Sequence, residues 1–432
     1  MFLFALSFDF TYYCDVNNSI FIITMKKIDF SFLSISIVVL ACVLSSCSDN
    51  HSRMAAEAER LERAAISDST AVIDIAECRM KHFPLSRLIE EVEYVPLETS
   101  DSSVLYSVAQ FKLTDSLIYV CDVMKQLKKF DRKGRYVGNA YTRGEGPEEV
   151  VQLYDFDVDE DFLYLLDGAR SVVLRFTHQG EFVDRRSLPF RAICMKHLSD
   201  GRYLFRLAPF SLADEKEVSA LLMLTDADFN PRGEFFAQNR DVEGTTLREP
   251  YFESSSDSRY FAPLYRRSIY RLEGDSLVMD YYLNFGTPYY ETNRRYKGAE
   301  EAKERGIYYT FPNPIHTERY LLQAFITSRA QQGLLVIDRQ TKRAVFAEGL
   351  ENDRDDMLGF NIWSGMQTYD AATGRLAGIA ESYYESSFSD EAELERIKSI
   401  LPDSVVSVLL KKGNEELNPV LMFYRLREDI VK

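Results

Sequence analysis

Short segments in which apolar and polar side chains alternate recur through most of the chain. Leu163 and Leu165, and then Val172, Leu174 and Phe176, alternate with residues that can face the opposite side. A period of two residues is that of a β-strand with one buried face. Asp, Asn, Lys, Gln and Gly residues, which favour turns, separate these segments. The pattern therefore predicts an all-β fold of short strands joined by tight turns.

The strand segments repeat with a period close to 45 residues. Residues 117–137 align with residues 162–183, so that Tyr119 and Tyr164 are 45 residues apart, and Phe130 and Phe176 are 46 apart. A repeat of about 40–50 residues made of short strands is typical of a β-propeller blade. A pair of β-sandwiches is the alternative.

Glycines mark one turn of each repeat. Gly134 and Gly180 follow turn-forming residues at equivalent positions, and Gly233 ends what reads as a third copy of the same turn. We expect positive φ at all three positions, because a tight hairpin turn requires it and glycine adopts it without strain.

The rest of the chain sets the number of blades. Strand–turn–strand patterns recur at residues 269–283, 334–347 and 366–380, and helical patterns occupy residues 292–305 and 390–401. The 350 residues from 83 to 432 would allow seven units of 45, but the two helical insertions consume the excess. The prediction is a β-propeller of six blades, each of four antiparallel strands, with short helical insertions.

One repeat carries a recognisable motif. Phe130, Asp131 and Gly134 precede the loop Arg-Gly-Glu-Gly-Pro-Glu-Glu at residues 143–149, and a Tyr-containing strand and Asp167 follow it. This arrangement resembles NHL-type repeats, and the loop resembles that of six-bladed β-propeller lipoproteins of Gram-negative envelopes. The resemblance implies the fold rather than an activity. We also expect a strand at residues 91–97 to pair with the last strand, at 419–426, and so close the ring.

The N-terminal region predicts export and lipid attachment. Residues 25–46 have a short basic start, an apolar run and a small-residue cleavage site, which together resemble a lipoprotein signal peptide. Cys47 would then carry the lipid that anchors the protein to the membrane. Residues 1–24 are interpreted as an upstream extension before the true start. Residues 47–80 are predicted to be a solvated tether, and residues 81–432 the β-propeller.

Composition narrows the class of protein. Of the 432 residues, 46% are hydrophobic, which excludes general disorder. Asp and Glu outnumber Lys and Arg by 67 to 51, giving a net charge of −16 that argues against a nucleic-acid partner. Together with the signal sequence, this predicts a cell-envelope protein, most simply an outer-membrane lipoprotein whose partner is a glycan or an envelope protein.

The loop at residues 143–149 is the first candidate binding site. A Gly-rich loop after a strand can bind phosphate, but no Lys-Ser or Lys-Thr follows it and its carboxylates would repel an anion. A crossover between blades that needs glycine torsions explains the sequence equally well. The functional reading places Arg143 and Glu148 on the rim near the central channel, as ligand-binding residues.

Alternating carboxylates suggest a weak calcium hypothesis. Asp155, Asp157 and Asp159 have the spacing of a calcium loop, but the sixth and twelfth positions hold Glu160 and Leu166 instead of Gly and Glu. A strand also places the three aspartates on one face, which a solvated edge would explain without a metal. No other cofactor is expected.

A third group of residues suggests glycan chemistry. Asp353, Asp355 and Asp356 lie in a polar loop before Trp363, and paired carboxylates beside an aromatic ring are typical of glycan-cleaving sites. A turn followed by a core tryptophan is the structural alternative. Glu148 is a further catalytic candidate.

Motifs of known enzyme classes are missing from the sequence. It contains no HExxH, GxSxG, Walker or dinucleotide-binding motif. The favoured function is therefore a binding or interaction module. A glycan hydrolase or lyase that uses loop carboxylates is the alternative, and a structural subunit of an outer-membrane complex is a third possibility.

Overall fold

The computed structural model describes most of the chain after residue 60. The described residues are 11–16, 19–24, 60–208, 220–237, 259–263, 267–286, 309–310, 314–326, 332–354, 356–357, 367–380, 383–384, 391–411 and 417–431. The chain divides into two compact units, residues 1–61 and residues 62–432. In the first unit, β1 (Thr11–Val16) pairs antiparallel with β2 (Ser19–Thr24).

The second unit begins with an N-terminal arm of short elements. In chain order these are β3 (Ala71–Asp74), α1 (Ile75–Cys78), β4 (Arg79–Met80), β5 (Phe83–Pro84), α2 (Leu85–Leu88) and β6 (Ile89–Pro96). Residues 71–80, which the sequence analysis assigned to a solvated tether, therefore contribute two strands. Their backbone groups pair with strands far along the chain, which a reading of local composition does not reveal.

Three regular four-stranded sheets follow, and each is a simple antiparallel meander. Blade 1 is β7 (Val108–Leu113), β8 (Leu117–Asp122), β9 (Leu127–Asp131) and β10 (Tyr136–Asn139). Blade 2 is β11 (Leu153–Val158), β12 (Phe162–Asp167), β13 (Val172–Thr177) and β14 (Phe182–Ser187). Blade 3 is β15 (Ala192–His197), β16 (Tyr203–Leu207), β17 (Ala220–Thr225) and β18 (Pro231–Ala237).

The next two blades take strands from the arm. Blade 4 is β19 (Tyr260–Phe261), β20 (Ser268–Glu273) and β21 (Ser276–Asn284), with β3 added parallel to β21. Blade 5 is β22 (Tyr309–Thr310), β23 (Ile315–His316), β24 (Tyr320–Ile326), β25 (Gln332–Asp338) and β26 (Ala344–Ala347), with β4 parallel to β26. Both β22 and β23 pair with β24, so they share the innermost position. A short strand, β27 (Leu350–Glu351), then pairs with β5.

Blade 6 joins the two ends of the propeller. It contains β28 (Gln367–Asp370) and β29 (Arg375–Ala380), followed by β30 (Tyr383–Tyr384), α3 (Glu391–Ile400), α4 (Asp403–Leu409), β31 (Leu410–Lys411) and finally β32 (Val420–Leu426). The sheet order is β28, β29, β32 and β6, so the last strand pairs antiparallel with the end of the arm. This confirms the predicted ring closure. The helical pattern at 390–401 corresponds to α3, whereas 292–305 lies outside the described residues.

The apolar core is divided among the junctions between blades. There are six clusters of buried side chains, and each contains residues of two neighbouring blades. One of these clusters joins blade 6 to blade 1. The alternation read from the sequence supplies these faces, because every sheet buries both of its surfaces against a neighbour. The six-bladed β-propeller predicted from the repeat is therefore the fold.

One of the three predicted glycine turns is different. Gly134 and Gly180 have φ of +81° and +97°, as expected, but Gly233 lies within β18 and does not have positive φ. Phe229 takes the equivalent turn position, with φ of +64°. The Asp226 carboxylate accepts hydrogen bonds from the backbone N–H of Asp228 and of Asn230, both at 2.9 Å, and this fixes the turn without glycine. The ring of Phe229 is buried.

The three cysteines beyond residue 60 are free thiols. Cys121 and Cys194 are buried and Cys78 is half-buried. Burial raises the pKa of Cys121 to about 12 and that of Cys78 to about 11, so both remain protonated at neutral pH. Over the described ranges, no helix is both long enough and apolar enough to cross a membrane.

Candidate functional site

Three equivalent positions on the inner strands hold a buried charge cluster. Lys112, Asp157 and Lys196 occupy the same register position of β7, β11 and β15. The Lys112 ammonium donates to Asp157 Oδ1 at 2.8 Å, and Lys196 Nζ lies 3.6 Å from the same oxygen. Burial opposes ionisation of Asp157, but the two ammonium groups outweigh it and lower its pKa. The cluster joins the inner strands of three blades.

Asp155, two residues before Asp157 on β11, forms a second link between the inner strands of the three blades. Its Oδ1 accepts from Gln110 Nε2 at 2.9 Å, and its Oδ2 accepts from the Met195 backbone N–H at 2.8 Å. Burial raises the pKa of this carboxyl. Asp155 and Asp157 are buried, so the expectation of a solvated edge is wrong. Strand β11 is an inner strand, covered by β7 on one side and β15 on the other.

Asp159 completes the row of aspartates at the end of β11. Its Oδ2 accepts from Tyr164 Oη at 2.6 Å and lies 2.9 Å from His197 Nδ1. Burial opposes ionisation, but the hydrogen bonds from His197 and Tyr164 outweigh it and lower the pKa to about 2. Each of the three aspartates therefore has a partner in blade 3, and Asp155 and Asp157 also have one in blade 1. Within the described chain, no group of three His, Cys, Asp or Glu side chains is close enough to hold a metal ion.

A cavity of about 850 Å³ lies between blades 1 and 2, and we call it the blade 1–2 cavity. Residues 139–143 and 146–149 form one side of it, residues 124–127 and Lys129 a second, and Phe176, Gln179 and Gly180 a third. Its walls thus come from β9, β10, β13 and the crossover loop, toward the outer part of both blades. Arg143 and Glu148 both line this cavity.

The lining of this cavity is mixed and rich in hydrogen-bonding groups. Side-chain amides, hydroxyls, two rings and both signs of charge are present, and the cavity volume is in the range of small-molecule sites. The polar members are Lys125, Gln126, Lys129, Asn139, Tyr141, Thr142, Arg143, Glu148, Glu149 and Gln179. Phe176 contributes an apolar ring.

A carboxylate inside the crossover loop sets the loop's shape. Glu149 Oε2 accepts from the Gly146 backbone N–H at 2.8 Å. A Cβ atom on Gly144 would lie 2.0 Å from the same oxygen. Neither glycine has positive φ, so the expectation that this loop needs glycine torsions is wrong. A side chain at position 144 would displace the Glu149 carboxylate, which packs directly against the Gly144 backbone.

Blade 2 fixes this loop from below. Arg170 donates from Nη1 to the Gly146 carbonyl at 3.1 Å, and also to the Glu149 carbonyl. Its Nε donates to Asp167 Oδ2 at 2.8 Å. Asp167 in turn accepts from the Val151 backbone N–H at 2.9 Å. The loop backbone is therefore held rigidly.

Two side chains of this rigid loop are left available. Arg143 and Glu148 are both exposed, and across the described residues neither makes a hydrogen bond or an ion pair. Two free, oppositely charged groups on a fixed backbone beside a cavity suit ligand binding, because little order is lost when they engage a ligand.

The other candidate carboxylates are used to hold the arm. Asp353 Oδ1 accepts from the Ser86 backbone N–H at 2.9 Å, and Oδ2 accepts from the Ser86 hydroxyl. Asp356 accepts two hydrogen bonds from Arg354, at 2.8 and 2.5 Å. Arg354 also donates to the Ile89 carbonyl at 2.8 Å, at the start of β6. Asp355, Trp363 and the lipidation candidate Cys47 lie outside the described residues.

A smaller depression of about 270 Å³ lies where strands of blades 6, 1 and 2 end. It is lined mostly by turn residues and by acidic groups, among them Asp159 and Asp370. Asp370 is nearly buried and pairs with Arg132. We consider this depression less suited to a ligand than the blade 1–2 cavity, since its main carboxylates already have partners.

The sequence singled out the aspartates of the inner cluster, but not their partners Gln110, Lys112 and Lys196 on the neighbouring strands. The available signal was the spacing, because Gln110 and Asp155, and likewise Lys112 and Asp157, are 45 residues apart. A polar residue repeated at the blade period on an inner strand indicates contact between blades. The sequence around Lys129, which lines the blade 1–2 cavity, has no such repeated polar residue to indicate a contact between blades.

Comparison with known proteins gives a family match and several structural neighbours. The family model described as "Domain of unknown function (DUF4934)" matches residues 70–425. The search of curated proteins finds no match. The crystal structure of a "Putative exported protein" of Bacteroides fragilis, BF0058, has 19% identity and a TM-score of 0.56, covering 82% of this chain and all of that one.

Two further structures are more distant. A Bacteroides vulgatus member of the DUF4221 family has 10% identity and a TM-score of 0.42, covering 79% of this chain and 98% of its own. Virginiamycin B lyase from Staphylococcus aureus has 11% identity and a TM-score of 0.34, covering 59% and 73%. At these identities the likeness to BF0058 concerns the fold alone.

Proposed function

The chain belongs to the DUF4934 family of domains of unknown function, and we propose that it is an exported binding module whose ligand occupies the blade 1–2 cavity. The observation that carries this proposal is the pair Arg143 and Glu148. Both are exposed and free of partners in the described chain, yet both extend from a loop that Glu149, Arg170 and Asp167 hold rigid.

The chemistry of the lining favours a hydroxyl-rich ligand such as an oligosaccharide. Gln126, Asn139 and Gln179 each supply an amide that both donates and accepts hydrogen bonds. Tyr141 and Phe176 supply ring surface in the same cavity. Planar polar groups beside aromatic faces match a molecule with polar edges and apolar faces, which is the character of a sugar ring.

A thermal-shift screen of the full-length protein against a panel of glycans tests the binding site. A ligand at 100 times its Kd adds about 2.7 kcal/mol of stability and raises the melting temperature. We expect the double variant Arg143→Ala/Glu148→Ala to lose that response. The matched control Arg271→Ala/Glu273→Ala, a half-buried arginine and an exposed glutamate in blade 4, should keep it. No response to any glycan, or an equal response in the double variant, would contradict the proposed site.

Export and lipid attachment form the second part of the proposal. They rest on the signal-like residues 25–46 and on Cys47, and the name of BF0058 agrees with export. Radiolabelled palmitate should be incorporated into the wild-type protein, and Cys47→Ser should lose both the label and the membrane fraction. The nearby variant Cys42→Ser should retain both. Membrane association that survives Cys47→Ser would contradict the lipid anchor but not the ligand site.

Cleavage of a glycan by Asp353 and Asp356 stays a prediction. Their hydrogen bonds to Ser86 and Arg354 favour a structural role, because both carboxylates already hold the N-terminal arm.

A further inference from the structure

One wall of the blade 1–2 cavity contains a buried ammonium group. Lys129, on β9, is only 7% exposed. Its Nζ donates to the His178 carbonyl at 3.1 Å and would lie 3.9 Å from a Cβ atom placed on Gly180. Both Lys129 and Gly180 line the cavity. The charge therefore sits beside the wall formed by the turn of blade 2.

Lys129 has no carboxylate partner in the described part of the chain. Its only hydrogen-bond partner there is the neutral carbonyl of His178. That bond uses one of the three N–H donors of the Lys129 ammonium. Burial alone lowers the pKa of Lys129, without the raising effect of any nearby acid. A buried charge is costly unless it is paired.

The other buried lysines differ from Lys129 in this respect. Lys112 and Lys196 share the Asp157 carboxylate. Lys128, the adjacent residue on β9, donates to the Ser102 carbonyl at 2.6 Å, and Asp122 raises its pKa against the effect of burial. Lys129 is therefore the buried lysine whose charge is left to be neutralised from the cavity.

From these contacts we infer that the blade 1–2 cavity takes an oligosaccharide bearing a carboxylate, such as a uronic acid, whose charge is neutralised by Lys129. This inference rests on the proposed function and names its ligand class. Arg143, which also lines the cavity, supplies a second cation at the loop.

The acidic residues of the cavity limit the charge of the ligand. Glu149 is engaged with the Gly146 N–H, but Glu148 is exposed and unpaired within the described residues. A multiply charged phosphate would be repelled by Glu148. A singly charged sugar acid places its carboxylate at Lys129 and offers hydroxyl donors to Glu148, so it uses both signs of charge.

Isothermal titration of the full-length protein with aldotriouronic acid, a trisaccharide with a single carboxylate, tests the inference, with its methyl ester and a sulfated neutral trisaccharide as the other two probes. We expect the acid to bind, the ester to bind at least tenfold more weakly, and affinity for the acid to fall with added salt. Lys129→Met should abolish binding of the acid, whereas Lys129→Arg should retain part of it and Lys128→Met should leave it unchanged.

Stability of the ligand-free protein provides a separate readout. A lysine kept only for structure would destabilise the fold when replaced, whereas Lys129→Met removes an unpaired buried charge and should leave the melting temperature unchanged or raised. Should this variant nevertheless fail to fold, Lys129→Gln, which removes the charge but keeps an N–H donor for the His178 carbonyl, provides the same test, with at least a fivefold loss of affinity for the acid.

The outcomes separate the inference from the proposed function. Equal binding of the acid and its ester, or unchanged binding of the acid by Lys129→Met and Lys129→Gln, would overturn the carboxylate assignment and leave a binding module for neutral glycans. Preferential binding of the sulfated probe would also overturn it, in favour of sulfate esters. Failure of all three probes to bind would count against both the inference and the glycan-binding function.

Discussion

The Lys112 ammonium and the Asp157 carboxylate form a fully enclosed ion pair between blades 1 and 2, with an N–O distance of 2.8 Å and about 1% of each side chain exposed. Asp157 Oδ2 also accepts from the His197 backbone N–H of blade 3 at 2.7 Å. One carboxylate thus joins three consecutive blades at their inner strands. The blade 1–2 cavity lies between the first two of these blades.

Replacing Asp157 with Asn should strongly destabilise the fold. The substitution leaves the Lys112 and Lys196 charges buried without their carboxylate, and breaking one side of a buried pair costs about 3–5 kcal/mol. Urea unfolding measures the loss. The control Glu273→Gln removes a carboxylate whose ion pair with Arg271 is exposed, and should change stability by less than about 1 kcal/mol. If Asp157→Asn also lowered the free energy of unfolding by less than about 1 kcal/mol, the claim that the buried charge cluster stabilises the three blades would be contradicted.

Acid should destabilise the protein partly through Asp159. Its pKa in the folded state is about 2, below the ordinary value of 3.8. A lowered pKa contributes stability that is complete above the ordinary value and is lost as the pH falls toward the folded value. We expect this carboxyl to account for about 2 kcal/mol of the stability lost between pH 5 and pH 2. Urea unfolding across this range should show a shallower acid limb in Asp159→Asn, and identical slopes would contradict it.

Substitution of Gly144 with Ala should distort the crossover loop through one specific contact. The new methyl group would occupy the place of Glu149 Oε2, so the carboxylate must leave the Gly146 N–H. A double-mutant cycle with Glu149→Ala should give a coupling energy of at least about 1 kcal/mol, because the methyl group no longer meets a carboxylate in that background. Additive effects would mean that this contact does not shape the loop.

Asn418 should be essential for closing the ring. Its buried side chain accepts from the Leu105 N–H at 2.7 Å and donates to the Glu98 and Ser103 carbonyls at 2.6 and 2.9 Å. Asn418→Ala leaves the Leu105 N–H and the Ser103 carbonyl without this partner, at a cost of about 3 kcal/mol in unfolding free energy, whereas the Glu98 carbonyl keeps the Ser103 hydroxyl as a donor. Asn230→Ala, at an exposed turn, is the matched control and should cost less than about 1 kcal/mol. Similar small losses in both variants would argue against this closure.

The regular part of the fold could be predicted because blades 1 and 2 repeat both their spacing and their turn residues. The third turn was misplaced, since Phe229 adopts the positive φ that Gly134 and Gly180 adopt elsewhere. The aspartate hydrogen bonds of this turn are the same as those that Asp131 makes in the Gly134 turn. The arm was read as a tether because strands of two to four residues, such as Arg79–Met80, are defined only by distant partners.

The candidate site could be predicted only in part. Arg143 and Glu148 were identified because a Gly-rich loop stands out locally. Lys129 could not be identified from the sequence, because a lysine in a strand is expected to be exposed to solvent. In the fold, the turn of the neighbouring blade covers it. The row of Asp155, Asp157 and Asp159 suggested calcium, but the neighbouring strands supply the Lys, Gln and His partners, and those are set by tertiary structure.

Hydrogen–deuterium exchange tests most directly whether the blade 1–2 cavity is the ligand site. The full-length protein is compared with and without the panel compound that raises its melting temperature most. We expect amide exchange to slow at residues 140–152 and 177–181, which form the loop and the facing turn of the cavity. Protection confined to residues 114–116 and 370–373, at the smaller depression, or to the loop at 352–357, would contradict the assignment.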